Sequence, residues 1–181
     1  MEKSLLKKTI QVSKEAAFIL LTVVCAVVLP QIFHAAGVLL GIGGKLGQIF
    51  LPMYIPILIF GFYRGPIAGA VAGLFAPIVS FLLTQMPTAA LLPFITAELV
   101  ATGLLAGLFA KSKMPVILRV FSVQAIAKAV RLIVFAVSLY IANGVVNGAV
   151  LFDGILLSIP GVVLQLALLT FLIMKKEKQH D

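Results

Sequence analysis

Three ionisable residues stand where an apolar chain can least solvate them. Glu98 lies in LLPFITAELVATGLLAGLFAK (91–111), and Lys128 and Arg131 lie in PVILRVFSVQAIAKAVRLIVFAVSLYI (115–141). If both runs are membrane helices, an isolated charge at mid-depth costs about 2.5–3.5 kcal/mol. All three must then face inward. Gln124, Lys128 and Arg131 recur at i, i+4 and i+7, so they share one helix face. Glu98, at similar depth, can pair with one cation. A structural salt bridge accounts for that pair and leaves a second cation, which Asp153 could compensate from the last apolar run. Without Asp153, the surplus positive charge suits an anionic group such as a carboxylate. The residues are read as a polar cavity for a ligand.

A second group points to the same place. Pro52 and Pro56 interrupt one run near its start, and Pro87 and Pro93 flank the start of another. Each removes a backbone donor and frees a carbonyl, which is tolerated at membrane depth where backbone lines a cavity. His34, Gln48, Tyr54, Gln85 and Thr88 fall at the same level. The expected substrate-binding set is therefore His34, Gln48, Tyr54, Gln85, Glu98, Gln124, Lys128 and Arg131.

Enzymatic motifs fail. GIGGKLG resembles a phosphate loop, but Leu39 and Leu46 stand where the Walker pattern needs Gly and Ser or Thr. Gly41-x-Gly43 lacks the third glycine of a dinucleotide fingerprint. H-E-x-x-H, C-x-x-C and G-x-S-x-G do not occur. His34 and His180 are far apart in the sequence, so neither a metal site nor a catalytic residue is expected, and no cofactor is implied. The single cysteine, Cys25, forms no internal disulfide and reads as a small packing residue.

The elements that must position these residues follow from composition. The 181 residues are 62% hydrophobic and 11% charged, more apolar surface than a soluble domain of this size could bury. Six spans are expected, at 14–35, 49–63, 66–84, 88–110, 115–141 and 149–174, forming one all-α, six-helix transmembrane domain over 1–181. The basic start followed by an apolar run could be a signal peptide. The run is too long, no A-x-A site follows, and five more runs come after it.

Orientation follows from the cations. Lys3, Lys7, Lys8, Lys14, Arg64, Lys111, Lys113, Arg119, Lys175, Lys176 and Lys178 all fall on one side if both termini are cytoplasmic, and only Lys45 falls outside. That asymmetry is the positive-inside pattern of a multi-pass cell-membrane protein. The net charge of +8 therefore reads as membrane anchoring, with the bilayer and not nucleic acid as partner. Arg64 becomes a cytoplasmic anchor, and Pro66 starts the next helix where its missing N–H costs nothing. The stretch 35–50, with five glycines, is expected to be an extracellular, ligand-contacting loop. Gly65, Gly69 and Gly73, beside Ala68, Ala72, Ala76 and Ser80, form small faces suited to packing helices backbone to backbone; docking to a partner is the other use.

The run FLPMYIPILIFGFYRGPIAGAVAGLFAPIVSFLLTQMP (50–87), followed by the Glu-bearing, Gly-rich 91–111, resembles the substrate-binding S component of energy-coupling factor (ECF) vitamin transporters. The resemblance covers nearly the whole chain as a pattern of six short helices with cytoplasmic ends. It implies capture of a vitamin or precursor from outside the bacterial plasma membrane, with energy from a separate T component and two ATPase subunits. The A-x-x-x-A that such proteins often use to dock the T component is not matched; Ser13-x-x-x-Ala17 and Thr22-x-x-x-Ala26 are looser forms. The charged core suggests pantothenate first. A cobalamin benzimidazole or ribazole precursor, stacked on Tyr54 and phenylalanines, is the neutral alternative. A rhomboid-like intramembrane protease would need a Ser in a Gly-x-Ser-Gly-like setting, which Ser80, Ser138 and Ser158 lack. A ligand-free assembly protein would have little use for two buried cations.

Overall fold

The computed structural model describes residues 2–43, 45–142, 154 and 156–177. Its regular elements are all α-helices: α1 (Glu2–Leu39), α2 (Lys45–Phe50), α3 (Tyr54–Arg64), α4 (Pro66–Thr84), α5 (Leu92–Phe109), α6 (Val116–Ala142) and α7 (Ile159–Glu177). Five segments are long and apolar enough to cross a membrane, with Lys45–Arg64 taken as one, and Ile159–Lys175 is a shorter apolar helix. This is an all-α architecture of multi-pass membrane type.

The expected spans at 66–84 and 115–141 coincide closely with α4 and α6. The expected start at 88 moves to Leu92, which puts Pro93 in the first turn, where its missing N–H is harmless. The last span is seen as a helix from Ile159, and Asp153 and His180 lie outside the described residues.

The glycine-rich stretch 35–50 is not the open loop expected from its composition. α1 continues to Leu39 and α2 occupies Lys45–Phe50. Among the described glycines of the stretch, Gly41 and Gly43 use positive φ, at 72° and 61°. Gly37 and Gly47 serve close approach instead. A Cβ on Gly37 would land on the Gly43 carbonyl, and one on Gly47 would come within 2.7 Å of the His34 ring. Glycine here packs a helical hairpin, which composition alone does not distinguish from a loop.

α3 is the hub. It packs on α1, α4, α5 and α7, while α1, α4, α5, α6 and α7 follow one another around it and α2 closes the ring between α7 and α1. Ile57 and Leu58 are fully buried. Lipid tails are as apolar as leucine, so such burial adds packing contacts and little hydrophobic drive. Close backbone contact has to supply the association.

It does so through glycine. A Cβ on Gly103 of α5 would overlap the Gly69 carbonyl of α4, and one on Gly69 would overlap the Gly103 carbonyl. Gly73 meets the Leu99 backbone in the same way, Gly107 meets Pro66, and a Cβ on Gly61 of α3 would come within 2.6 Å of the Gly103 carbonyl oxygen. Ala72, Ala76 and Ser80 complete the buried face of α4. The small residues thus pack internally, and Gly65, at φ 101°, makes the turn into α4. At that turn Arg64 pairs with Glu15 of α1, with Nε 3.2 Å from Oε2, and its guanidinium lies 4.3 Å from the Phe18 ring centroid. Both charged groups are about a third exposed, so this pair is worth at most about 1 kcal/mol and mainly fixes where α1 meets α3.

Gly103→Val should destabilise the bundle by about 1–3 kcal/mol or more, because the added carbons meet backbone that cannot retreat. Ile67→Ala, at a position 78% exposed, should leave the melting temperature in detergent nearly unchanged. Equal melting of the two variants would refute the glycine contact as the fastening of α4 to α5.

Candidate ligand-binding site

Glu98 is the centre of the site. Its side chain is 1% exposed, and both oxygens are engaged. Lys128 Nζ lies 3.3 Å from Oε1 and Arg131 Nη1 lies 3.1 Å from Oε2. The i, i+3 spacing on α6 brings both cations to one side of α5, as the sequence pattern requires. Counted from the helix ends beside Arg64 and Ala110, Glu98 and Lys128 sit about 16–18 Å along their helices, near mid-bilayer. Lys128 also reaches Ser158 Oγ at 3.5 Å, and its ammonium is 6.0 Å from the Tyr54 ring centroid, at the outer limit of a cation–π contact. Tyr54 is buried and within electrostatic reach of Glu98 and Arg131.

Above this cluster, at the end of the bundle away from Arg64, lies a cavity of about 430 Å³. That is a usual size for a small-molecule site. Arg131 and Tyr54 lie on its wall, with His34 from α1, Gln48 from α2 and Thr88 from the α4–α5 connection. Apolar residues such as Met53, Leu91 and Ile95 make up much of the remaining lining. Three buried polar atoms of lining residues have no hydrogen-bond partner among the described residues: Arg131 Nε, His34 Nδ1 and Gln31 Nε2. Buried polar atoms are normally satisfied, and Gln124 Nε2, away from the lining, is likewise without a partner among the described residues.

Four of the eight expected residues, His34, Gln48, Tyr54 and Arg131, therefore line one cavity. Glu98 and Lys128 stand behind Arg131 rather than on the cavity wall. Gln124 shares their helix face but lies one turn nearer the other end. It is buried, away from the lining, and its Nε2 has no partner among the described residues. Gln85 is the clear displacement. It ends α4 in the left-handed region, at φ 58°, and its side chain is exposed and outside the lining. Level along the helix was legible there, but the left-handed turn that aims the residue outward was not.

Gln165 was not anticipated. It is fully buried on α7 and donates from Nε2 to the carbonyls of Phe50 at 3.2 Å and Leu51 at 3.1 Å. These lie at the break between α2 and α3, where Pro52 offers no N–H and Leu51 has φ 48°. Gly161 lets α7 approach the same place, since a Cβ there would strike the Ile49 carbonyl. A lone glutamine in an otherwise apolar run was the available signal. Gln31, one residue after Pro30, and Ser80 also line the cavity.

No family model, curated protein or solved structure matches the chain. The site therefore has to be read from its own geometry.

Two substitutions probe that geometry. Glu98→Ala leaves the buried Arg131 and the part-buried Lys128 without their carboxylate and should cost about 3–5 kcal/mol, whereas Lys128→Met, which keeps the Arg131–Glu98 pair, should cost much less. Detergent melting curves that rank them the other way would contradict the central role of Glu98. Gln165→Leu should cost about 1–3 kcal/mol and speed amide exchange over 45–54, because two carbonyls lose their donor. Unchanged exchange there would mean that Gln165 does not tie down the break.

Proposed function

We propose that this chain is a membrane-embedded binding subunit that captures a small molecule in the cavity beside Arg131. The observation that carries this reading is the cavity itself. It combines apolar walls with a buried guanidinium whose Nε has no partner among the described residues. A purely structural ion pair would not need a hollow next to it.

On this reading the cavity end faces outward and the lysine-rich ends face the cytoplasm of a bacterial plasma membrane. The ligand is a vitamin or vitamin precursor, with pantothenate first and a benzimidazole or ribazole second. The absence of a phosphate-loop sequence fits a subunit energised by other chains, as in ECF transporters with their T component and two ATPases. The tight glycine contacts among α3, α4 and α5 suit a body that binds without large internal rearrangement.

Native mass spectrometry of protein purified from rich medium tests this. A bound small mass is expected in the wild type and is expected to be lost in Ile95→Trp, which fills the cavity from a lining position. No bound mass, together with no thermal shift across a vitamin panel, would overturn the binding reading in favour of an assembly protein.

A further inference from the structure

The hub helix α3 keeps one face uncovered. Ile55, Ile59 and Tyr63 stand four residues apart, so they share a face. Ile55 and Ile59 are half-buried and Tyr63 is exposed, whereas Ile57 and Gly61, on the opposite side, are buried toward the core and α5. The open face lies in a gap with identifiable borders. α1 and α7 both pack on α3 but make no contact with each other among the described residues. At the cavity end the six-residue α2 stands between them, with Gly47 against His34 and Gly161 against Ile49. Toward Arg64 no described element does. The result is a slot open to the bilayer, floored by Ile59 and Tyr63.

Each helix bordering the slot carries a cation at one level. Arg64 ends α3. Glu15 of α1 takes the Nε and Nη2 of its guanidinium, which stacks on the Phe18 ring, and no described residue engages Nη1. Lys14, next to Glu15, is exposed. The Tyr63 hydroxyl donates to the Leu172 carbonyl of α7 at 3.4 Å. The exposed Lys175, three residues on, is therefore about 4.5 Å beyond the same level. Set against Glu15, these cations leave the mouth of an apolar slot positive. Lys111 and Lys113 provide the contrast. They are exposed at the turn between α5 and α6, two helices that pack together, so they bring charge without a slot.

We propose that the slot binds one anionic phospholipid from the leaflet at the lysine-rich end. Its phosphodiester sits among Lys14, Lys175 and Arg64 Nη1, where charge-assisted hydrogen bonds are available at headgroup level. One acyl chain lies over Tyr63 and Ile59 between α1 and α7. A lipid is favoured over a partner helix because membrane helices approach one another over small residues, and this floor is isoleucine and tyrosine. The site is separate from the cavity, so its failure would leave the binding-subunit reading untouched.

Native mass spectrometry of delipidated protein tests it, by titration with palmitoyl-oleoyl phosphatidylglycerol and with phosphatidylcholine of the same chains. The first phosphatidylglycerol should bind the wild type about tenfold or more tighter than phosphatidylcholine. The double variant Lys14→Gln, Lys175→Gln should lose roughly tenfold of that preference. The double variant Lys111→Gln, Lys113→Gln removes the same charge away from the slot and should keep the preference within about twofold. All four lysines are exposed, and lipid-free melting checks that both variants are folded. Equal binding of the two lipids by the wild type, or wild-type preference in the Lys14, Lys175 variant, would overturn the proposal. An equal loss in both double variants would overturn it too, since the charged end as a whole would then attract the lipid. p-Benzoylphenylalanine in place of Ile59, irradiated in native membranes, should link to lipid. A link to a second protein instead would assign the slot to a partner and overturn the lipid.

Discussion

A carboxylate in an apolar bundle is tolerated only where its partners are held in place, and Glu98 imposes that condition on the whole molecule. Its oxygens need one donor each, so α6 must present Lys128 and Arg131 at the matching height on α5. α5 cannot slide to relieve the pairing, because Gly103 and Gly107 lock it against the backbone of α4. Removing one member of a buried pair typically costs about 3–5 kcal/mol, comparable with the stability of a small domain. Helix register, cavity position and the direction of the Arg131 side chain therefore depend on one ion-pair geometry.

The bundle divides its two tasks along its length. Toward Arg64, glycines bring α3, α4 and α5 into backbone contact, where dispersion between closely spaced atoms replaces the hydrophobic drive that lipid withholds. Toward the other end the chain breaks at Pro52 between α2 and α3 and at Pro87 between α4 and α5, and these breaks line the cavity. Open backbone there has a specific remedy, since Gln165 reaches across from α7 to the carbonyls of the α2–α3 break. A tight half holds a hollow half in shape.

Much of this was legible in the sequence for a physical reason. Charges are so unfavourable in an apolar run that Glu98, Lys128 and Arg131 could have only one kind of environment. The spacing of small residues on α4 likewise announced close packing, and α4 has the boundaries its sequence suggests. Legibility failed where one backbone angle decides the outcome. Gln85 sits at the right height and turns outward through a left-handed φ. It failed again where glycine has two uses, so that Gly37 and Gly47 read as loop while they pack helices. Gln165 is uncharged, and the penalty that exposes a buried ion in a sequence is too small to expose an amide.

The length of α1 has a mechanical consequence. Its 38 residues run about 57 Å, well beyond a hydrocarbon core of about 30 Å. The Arg64–Glu15 pair pins it part-way, leaving about 20 Å of helix on one side and about 28 Å between the pin and His34 on the cavity wall. α1 is also held along its length by α3 and α4, so the pair does not act as a lone pivot. Pro30 lies between the pair and His34 and removes one helix hydrogen bond, so α1 bends most easily there, next to the cavity wall.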